Sequence, residues 1–213
     1  MYKVAALYKF VLIAEPQSVS DTLNHLCKKH RIQGALIIAH EGINGTIAGV
    51  VSDMDAFILD MTITIIELAV LEEIKFSDAV DPPFHRLRVR VKPEIVTMGH
   101  PEVNPAVSNG KYVEPSEWNE LISQPDVIVI DTRNSYEVEL GTFARSVDPK
   151  TTTFREFPGY VESHLDPKNH KKVAMFCTGG VRCEKASACK SNFFLLHDRL
   201  LSDNAAFRKS DMI

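Results

Sequence analysis

The sequence predicts a two-domain α/β protein, in which an α+β unit is followed by a unit built on a parallel sheet. The first observation is the length: 213 residues with 45% hydrophobic content bury a sizeable core and suit two small domains. The second is that residues 1–98 show short elements in the order β-α-β-β-α-β, with one extra strand. The third is that uninterrupted apolar strands alternate with helices in residues 116–213, which is typical of a parallel sheet covered on both faces.

The first unit starts with a strand over residues 3–13, and Glu15-Pro16-Gln17-Ser18 then opens a helix. Residues 35–39 and 46–48 predict two strands, joined by a loop in which Gly42 and Gly45 permit positive φ. Ser52-Asp53-Met54-Asp55 indicates a second helix N-terminus, and residues 73–76 and 87–91 predict two more strands. The β-branched run in MTITIIELAVLEEI favours strand where the order requires a helix. This order predicts a ferredoxin-like α+β domain over residues 1–98.

Residues 99–115 (GHPEVNPAVSNGKYVEP) are rich in proline, glycine and asparagine and lack an apolar period, which predicts a linker. Beyond the linker we expect helices over residues 118–122 and 154–165 and buried strands over residues 127–130 and 173–176. Asp131-Thr132-Arg133 and Cys177 directly follow these two strands. Because parallel sheets bind ligands beyond the carboxyl ends of their strands, the sequence predicts a site there.

Composition and charge narrow the classes of function. The formal net charge is only −4, so any nucleic-acid partner must be held by a local basic patch. The sequence shows no signal peptide and no uncharged stretch of the roughly 20 residues that span a bilayer, so we expect a soluble, cytoplasmic protein without a membrane partner. No G-x-G-x-x-G fingerprint or H-x-D/E iron motif suggests a flavin or iron, and no cofactor is evident.

The stretch FCTGGVRCEKAS, residues 176–187, contains the strongest candidate for a reactive side chain. Cys177 ends an apolar strand, and Arg182 opens a helix. The loop between them comprises Thr178, Gly179, Gly180 and Val181. Its backbone N–H groups can converge on the sulfur, and the helix N-terminus and Arg182 lower the pKa of a thiol from about 8.5 toward 7 or below. Cys177 is therefore a candidate nucleophile.

Other interpretations of the cysteines remain open. Four cysteines are too few for a disulfide scaffold in a chain of this length. Cys177 could be a buried structural thiol, as free cysteines often are. A zinc site is disfavoured because Cys177 and Cys183 lack C-x-x-C spacing, so we expect no metal. Cys27 and Cys189 are interpreted as structural.

The stretch FHRLRVRVK alternates cations with apolar residues. Arg86, Arg88, Arg90 and Lys92 take one face of the predicted strand, and Leu87, Val89 and Val91 take the other. The cationic face suits a surface that follows phosphates, but it is equally typical of a solvated strand that discourages edge pairing. His85 is interpreted as a packing residue at the start of the strand.

Long stretches of the chain resemble known proteins. Residues 119–187 resemble a rhodanese domain in Asp131-Thr132-Arg133, in Tyr136-Glu137 followed by Gly141-Thr142-Phe143, and in the loop from Cys177 to Arg182. Over most of residues 6–188, ALYKF, HEGINGTIAG, FHRLRVRVKPEIVTMG, GKYVEPSEWN, VIDTRNSYEVELGTF, TTTFREFPGYV and KKVAMFCTGGVRCEKAS are similar to the rhodanese-domain tRNA uridine hydroxylases. That family makes 5-hydroxyuridine at the wobble position with oxygen.

The resemblance implies a set of roles for these residues. The catalytic pair would be Cys177 and Arg182, and the substrate loop would comprise Thr178, Gly179, Gly180, Val181, Asp131 and Arg133. The partner would be tRNA, bound through Arg86, Arg88, Arg90 and Lys92, and molecular oxygen would be the co-substrate. Glu41 and Asn44, in a loop that by itself suggests a glycine-rich hairpin, would form a pocket wall if the first domain folds over Cys177.

The resemblance does not extend to the C-terminal residues, and other functions remain open. Beyond Ala188 the sequence departs from the rhodanese pattern, so we expect the C-terminal part of a rhodanese-like domain over residues 116–213 to be atypical or incomplete. The alternative functions are a persulfide-forming sulfurtransferase, with Cys183 as a possible resolving thiol, and a non-catalytic RNA-binding module.

Overall fold

The structure is a computed structural model that describes residues 1–71, 74–106, 110–166, 168–170 and 172–189, and the backbone of residues 194–198. The chain divides into two compact units, Met1–Ile95 and Val96–Ile213. Each unit has its own apolar core. Among the described residues, none of the helices combines the length and apolar character that crossing a membrane requires.

The first unit is a five-stranded sheet with two helices. Its elements are β1 (Tyr2–Phe10), α1 (Pro16–Lys29), β2 (Gln33–Ala39), β3 (Gly42–Val50), α2 (Val51–Thr64), a 3-10 turn (Ile66–Leu68), β4 (Ile74–Ala79) and β5 (Leu87–Val91). The strand order is β4-β1-β3-β2-β5. Strands β1 to β4 pair antiparallel, and β5 pairs parallel with β2. The first four strands therefore confirm the ferredoxin-like prediction, and β5 is the extra strand at the edge.

Both helices of this unit bury one apolar face against the sheet. In α1 the buried face includes Val19, Leu23 and Leu26, as the helical spacing predicts. In α2 the buried residues are Met54, Phe57 and Met61. The β-branched run that favoured strand is helical as far as Thr64, because burial of Met61 in the core outweighs the weak strand preference of its neighbours.

The hairpin between β2 and β3 is tighter than the sequence predicts. Ala39 pairs with Gly42, so only His40 and Glu41 form the turn and both glycines lie within β3. Gly42 has a φ of +142°, whereas Gly45 is required by close approach: a Cβ there would lie 2.1 Å from the carbonyl oxygen of Ala35. Positive φ, which both glycines permit, thus occurs at Gly42 and not at Gly45, where neighbouring strands crowd both sides of central β3.

The second unit is a four-stranded parallel sheet flanked by helices. Its elements are β6 (Lys111–Val113), α3 (Pro115–Ser123), β7 (Val127–Asp131), α4 (Ser135–Val138), a 3-10 turn (Phe154–Glu156), α5 (Phe157–His164), β8 (Lys172–Phe176), α6 (Val181–Ala188) and β9 (Phe194–Asp198). The strand order is β6-β9-β8-β7, and all the pairings are parallel. The structure therefore confirms the predicted parallel-sheet class.

Two segments of this unit bear on the predicted linker and C-terminal part. Lys111–Val113, within the expected linker, joins the sheet as β6, and Met98 lies in an apolar core of the unit. Beyond Ala188, where the sequence departs from the rhodanese pattern, β9 continues the sheet. The rest of that stretch, residues 190–193 and 199–213, lies outside the described residues.

Burial on both faces explains the uninterrupted apolar strands. From β8, Ala174 and Phe176 enter one core beside Trp118, while Val173 and Met175 enter the opposite core. Because side chains alternate along a strand, each face needs its own apolar set. The ends of β7 and β8 meet where Asp131 pairs with Phe176, and Cys177 follows directly.

Candidate active site

Cys177 lies at the carboxyl end of β8, in a cradle made by the loop that enters α6. Its side chain is fully buried. The backbone N–H of Gly180 donates a hydrogen bond of 3.1 Å to Cys177 Sγ. Gly180 has a φ of +90°, a left-handed conformation that glycine adopts without steric cost. The glycine at this position therefore lets the chain turn back so that an N–H group points at the sulfur.

The surroundings of Cys177 favour its anionic form. Burial by itself raises the pKa of the thiol, but it is outweighed by the side-chain hydrogen bond from Cys183, the charge of Arg182 and the backbone N–H groups of Cys183 and Gly179. Together they lower the pKa of Cys177 from 9.0 to about 5. At neutral pH Cys177 is therefore a thiolate, the nucleophilic state of cysteine.

Cys183, the third residue of α6, has the opposite character. It is fully buried, and its Sγ lies 3.3 Å from the hydroxyl oxygen of Thr132. Burial and the charge of Cys177 raise the pKa of Cys183 well above its ordinary value. The site thus pairs a thiolate with a protonated thiol, a division of roles that sequence spacing does not reveal.

Arg182 is held by Glu137 of α4. Its Nη1 and Nη2 donate to the two carboxylate oxygens at 2.6 and 2.8 Å, and the two side chains are only 14% and 16% exposed. The Thr178 hydroxyl also donates to Glu137, at 2.7 Å. Burial raises the pKa of Glu137, but the hydrogen bonds from Arg182 and Thr178 outweigh it and lower the pKa to about 2.

Glu137 is the residue of the site that sequence reasoning missed. It stands in the matched Tyr136-Glu137 motif, but the motif alone assigned it no role. The local signal was its position three residues after Asn134, whose N–H it accepts at 3.1 Å, as the third residue of a capping box does. The bond to Arg182 spans 45 residues and has no local signal.

Asp131 and Arg133, which the sequence assigned to the substrate loop, bind each other. The guanidinium donates to both carboxylate oxygens of Asp131 and, at 2.6 Å, to the Gly141 carbonyl. The Thr142 hydroxyl donates to Asp131 at 2.8 Å. These contacts brace the loop after β7 and are structural; a role of this pair toward a substrate stays a prediction.

The loop is open at one point. Thr178 is exposed, Gly179 is half-buried, and a Cβ added at Gly179 would meet no heavy atom within 4 Å. Val181 is half-buried where α6 begins. Since Cys177 itself is buried, Gly179 marks the side from which the cradle has free space.

The basic strand is β5, at the edge of the first unit. Arg86, Arg90 and Lys92 are exposed and Arg88 is half-buried, while Leu87 and Val89 pack against the core. Val91, the last residue of β5, departs from the alternation and is 42% exposed. An edge position is what both interpretations of this strand require, so phosphate binding stays a prediction.

His85 lies on the surface rather than in packing. It is exposed and lines a cavity of about 420 Å³ together with Tyr2, Arg31 and Gln33. The packing interpretation of His85 is therefore wrong, because the residue is exposed at the surface.

Glu41 and Asn44 hydrogen-bond to the backbone of Ile95, the last residue of the first unit. Glu41 Oε1 accepts a hydrogen bond of 2.6 Å from the Ile95 N–H, and Asn44 Nδ2 donates at 3.0 Å to the Ile95 carbonyl. The residues of the HEGINGT motif therefore anchor the segment that leaves β5. Their role as a pocket wall stays a prediction.

The two remaining cysteines, Cys27 and Cys189, lie away from the loop that holds Cys177. Cys27 lies in the core of the first unit, and burial raises its pKa to about 12, so it is an unreactive thiol. Cys189 packs at the margin of a core in the second unit. Within the described ranges, no group of three or more histidine, cysteine, aspartate or glutamate side chains could hold a metal ion.

Comparisons with known proteins agree with the predicted resemblance. Residues 2–95 match the family described as UPF0176 acylphosphatase like domain. A tRNA uridine(34) hydroxylase of Mesorhizobium japonicum is 53% identical over 186 residues, which cover 87% of this chain and 60% of that protein. One of Teredinibacter turnerae is 51% identical over 187 residues, which cover 88% and 58%.

The chain thus spans about 60% of the length of these curated relatives. Among solved structures, a Rhodopseudomonas palustris protein of unknown function, described as a possible tyrosine phosphatase, is 20% identical over 44% of this chain and 76% of its own, with a TM-score of 0.34. Over most of its own length the chain is thus similar to proteins named tRNA uridine(34) hydroxylase.

Proposed function

We propose that the protein hydroxylates the wobble uridine of tRNA at C5, with Cys177 as the nucleophile and molecular oxygen as the co-substrate. The observation that carries the proposal is the cradled Cys177, whose lowered pKa makes it a thiolate, in a chain more than half identical to proteins named tRNA uridine(34) hydroxylase. A uridine must leave its stack to bring C5 and C6 to such a sulfur.

The chemistry of the thiolate suits this reaction. Addition of Cys177 Sγ to C6 forms a carbon–sulfur bond and moves the C5–C6 π electrons to C5 and O4, which makes C5 electron-rich. One atom of O₂ enters the C5–H bond, and the other leaves as water. The two electrons and two protons for that water come from two molecules of a small thiol, which form a disulfide. Loss of the sulfur from C6 then restores the pyrimidine.

Three groups of the site serve the sulfur in this scheme. The Gly180 N–H and the charge of Arg182 stabilise the thiolate both before attack and when it leaves C6. Glu137 binds the guanidinium at two points and so fixes where that charge lies. Glu137 is thus a positioning residue.

The test is mass spectrometry of a tRNA with a wobble uridine after incubation with the protein, a small thiol and ¹⁸O₂. We expect a gain of one labelled oxygen at that nucleoside, lost in Cys177→Ser. Cys189→Ser is the matched control and should retain activity, since Cys189 lies outside the cradle. Unlabelled oxygen in the product, or a gain that persists in Cys177→Ser, would contradict the proposal.

A sulfurtransferase is the second candidate. The observations that favour it are that the same cradle suits a persulfide and that a second buried thiol, Cys183, helps to lower the pKa of Cys177. Thiosulfate turnover by the wild-type protein without any change in tRNA mass would favour this candidate over the hydroxylase. A non-catalytic RNA-binding module, the third alternative, would need an unreactive Cys177, which the lowered pKa of that thiol opposes.

A further inference from the structure

The cavity of about 420 Å³ in the first unit lies at the edge of the sheet where β5 begins. Strands β1, β2 and β3 supply Tyr2, Gln33 and Ala48 to its wall, and the segment before β5 supplies Phe84 and His85. Its volume is in the range of pockets that hold small ligands. The cavity therefore has room for one flat ring system with its attached groups.

The cavity opens on the face of the sheet that carries the cations of β5. Gln33 and Ala35 lie on one face of β2, since side chains alternate along a strand. Ala35 pairs with Arg88, and paired residues of neighbouring strands share a face. In addition, Arg86 directly follows the cavity residue His85. A ligand in the cavity would therefore have cationic side chains beside it.

The polar side chains of the cavity have donors and acceptors available. Arg31 Nε and Nη2 donate to the two carboxylate oxygens of Asp53 at 2.9 and 2.7 Å, which fixes the guanidinium and balances its charge. Within the part of the chain that the structure describes, no hydrogen bond uses Arg31 Nη1 or the side chains of Gln33 and His85. A guanidinium edge, an amide and an imidazole can thus bind the edge of a polar ring.

Two aromatic rings of the cavity can stack on a ligand. Tyr2 and Phe84 are half-buried, and among the described residues neither ring contacts another ring or a cation. Pro82 and Pro83 directly precede Phe84, and proline fixes φ. Since a stiff segment loses little entropy on binding, the Phe84 ring is well suited to hold a flat molecule.

We propose that this cavity binds the base of an unpaired nucleotide of the anticodon loop, other than the uridine that reaches Cys177, while Arg86 and Arg88 bind flanking phosphates. The balanced charges of Arg31 and Asp53 favour a neutral base over a phosphate inside the cavity. A duplex keeps its bases stacked, whereas loop bases can be splayed out onto aromatic side chains. The choice of tRNA as the ligand rests on the proposed function.

The test is a thermodynamic cycle between Phe84 and single bases of the RNA. Fluorescence anisotropy without oxygen measures binding of the full chain to an anticodon stem-loop, and to versions in which one loop nucleotide at a time is abasic. Phe84→Leu should weaken binding of the intact RNA by about 5- to 150-fold, the range for losing one base–aromatic stack. One abasic position should weaken binding to wild type by a similar factor but hardly affect Phe84→Leu, because both changes remove the same contact.

Control variants separate stacking from charge and from packing. The slope of log affinity against log salt should not change in Phe84→Leu, because no phosphate contact is lost. Phe84→Tyr keeps a ring and should bind like wild type. Phe76→Leu is the matched control: the Phe76 ring is 48% exposed and pairs with the core residue Ala5, so it lies on the face opposite to Gln33. This variant should bind like wild type as well.

A second variant keeps the test independent of the packing of Phe84. Gln33 is exposed, so Gln33→Ala removes an amide without disturbing the core. It should weaken binding of the intact RNA by about 2- to 12-fold, the size of one hydrogen bond. The same abasic position should couple to it. If thermal unfolding shows that Phe84→Leu is destabilised, the cycle with Gln33→Ala decides.

The opposing outcomes are distinct. The proposal is overturned if no loop position couples to Phe84 or Gln33, or if the coupled position is the wobble uridine, which would make the cavity the site of the substrate base. Equal losses in Phe84→Leu and Phe84→Tyr would show that Phe84 acts by packing alone. Because binding is measured without oxygen, coupling in a protein that inserts no ¹⁸O would leave this site standing and contradict only the hydroxylase proposal.

Discussion

At the scale of single residues, Cys177 makes folding stability depend on pH. Its pKa is about 5 in the folded protein against 9.0 as an ordinary thiol, so between these values the unfolded chain binds one more proton. The free energy of unfolding therefore rises with pH across this window, by at most about 1.4 kcal/mol per pH unit, and this contribution is lost as the pH falls through about 5.

Urea unfolding at several pH values checks this prediction through the difference between wild type and Cys177→Ala. The difference should grow from pH about 5 to about 9 and then level off. Above that range the raised pKa values of Cys27 and Cys183 act in the opposite direction, and both remain in the variant. A difference that does not change with pH would mean that Cys177 is protonated in the folded protein.

Glu137→Gln tests the ion pair behind the loop. Glutamine keeps the shape but leaves the charge of Arg182, only 14% exposed, without its carboxylate partner. We expect a loss of about 2–4 kcal/mol in the free energy of unfolding at neutral pH, measured by urea denaturation. The loss should shrink as the pH falls from about 4.5 to about 2, where Glu137 takes up its proton in the wild type.

The control for that variant is Glu139→Gln, two residues along and exposed. It should change stability by less than about 0.5 kcal/mol. An equal effect of both substitutions would show that Glu137 acts only through net charge.

Alanine variants of Gly179 and Gly180 distinguish an effect on substrate contact from an effect on the geometry of the loop around Cys177. Gly180→Ala places a side chain at a φ of +90° and should cost about 1 kcal/mol or more while raising the midpoint of the Cys177 thiolate. Gly179→Ala meets no protein atom within 4 Å, so thermal unfolding and the thiolate midpoint should stay close to wild type. If tRNA enters over Gly179, only product formation falls in that variant; unchanged turnover would place the entrance elsewhere.

At the scale of elements, β5 carries a prediction about RNA. If Arg86, Arg88 and Arg90 contact phosphates, replacing all three with Gln should flatten the slope of log tRNA affinity against log salt by about two units, since each contact adds roughly 0.7–0.9. Filter binding or fluorescence anisotropy over a salt series measures this slope. An unchanged slope would leave β5 as a solvated edge strand.

The control for β5 is its inward face. Leu87→Ala and Val89→Ala remove side chains that pack on the core and should each cost about 1–3 kcal/mol of stability without altering the salt slope. Val91 is unsuitable as a core control because it is 42% exposed. Strand alternation predicted this residue to be inward, but alternation holds only where a core lies beneath the strand.

At the scale of the whole molecule, Met1–Ile95 is a unit with its own core, so we expect a fragment of residues 1–97 to unfold cooperatively in urea. A fragment of residues 1–92 should be less stable by about 2–4 kcal/mol, because it loses the hydrogen bonds from Ile95 to Glu41 and Asn44. That difference should shrink when both fragments carry Glu41→Ala and Asn44→Ala. Equal stability of the two unsubstituted fragments would mean that these bonds contribute nothing.

The sequence by itself determined the class of each unit and the position of the reactive sulfur. The 3.6-residue period of α1, the apolar runs of β7 and β8, and the Cys177-to-Arg182 loop are each encoded within a few neighbouring residues. Backbone geometry converts such local patterns directly into elements and turns. For the same reason the turn at Gly180 and the helix that starts after it were predictable.

Only the tertiary structure decided which side chains serve that sulfur. Glu137 binds Arg182 across 45 residues, and Thr132 reaches Cys183 across 51, because β7 lies next to β8 in the sheet. Asp131 and Arg133 form an ion pair with each other, and burial and nearby charges shift the pKa values of Cys177 and Cys183 in opposite directions. Contacts of this kind depend on the order and register of strands and on shared burial, which no local spacing in the chain encodes.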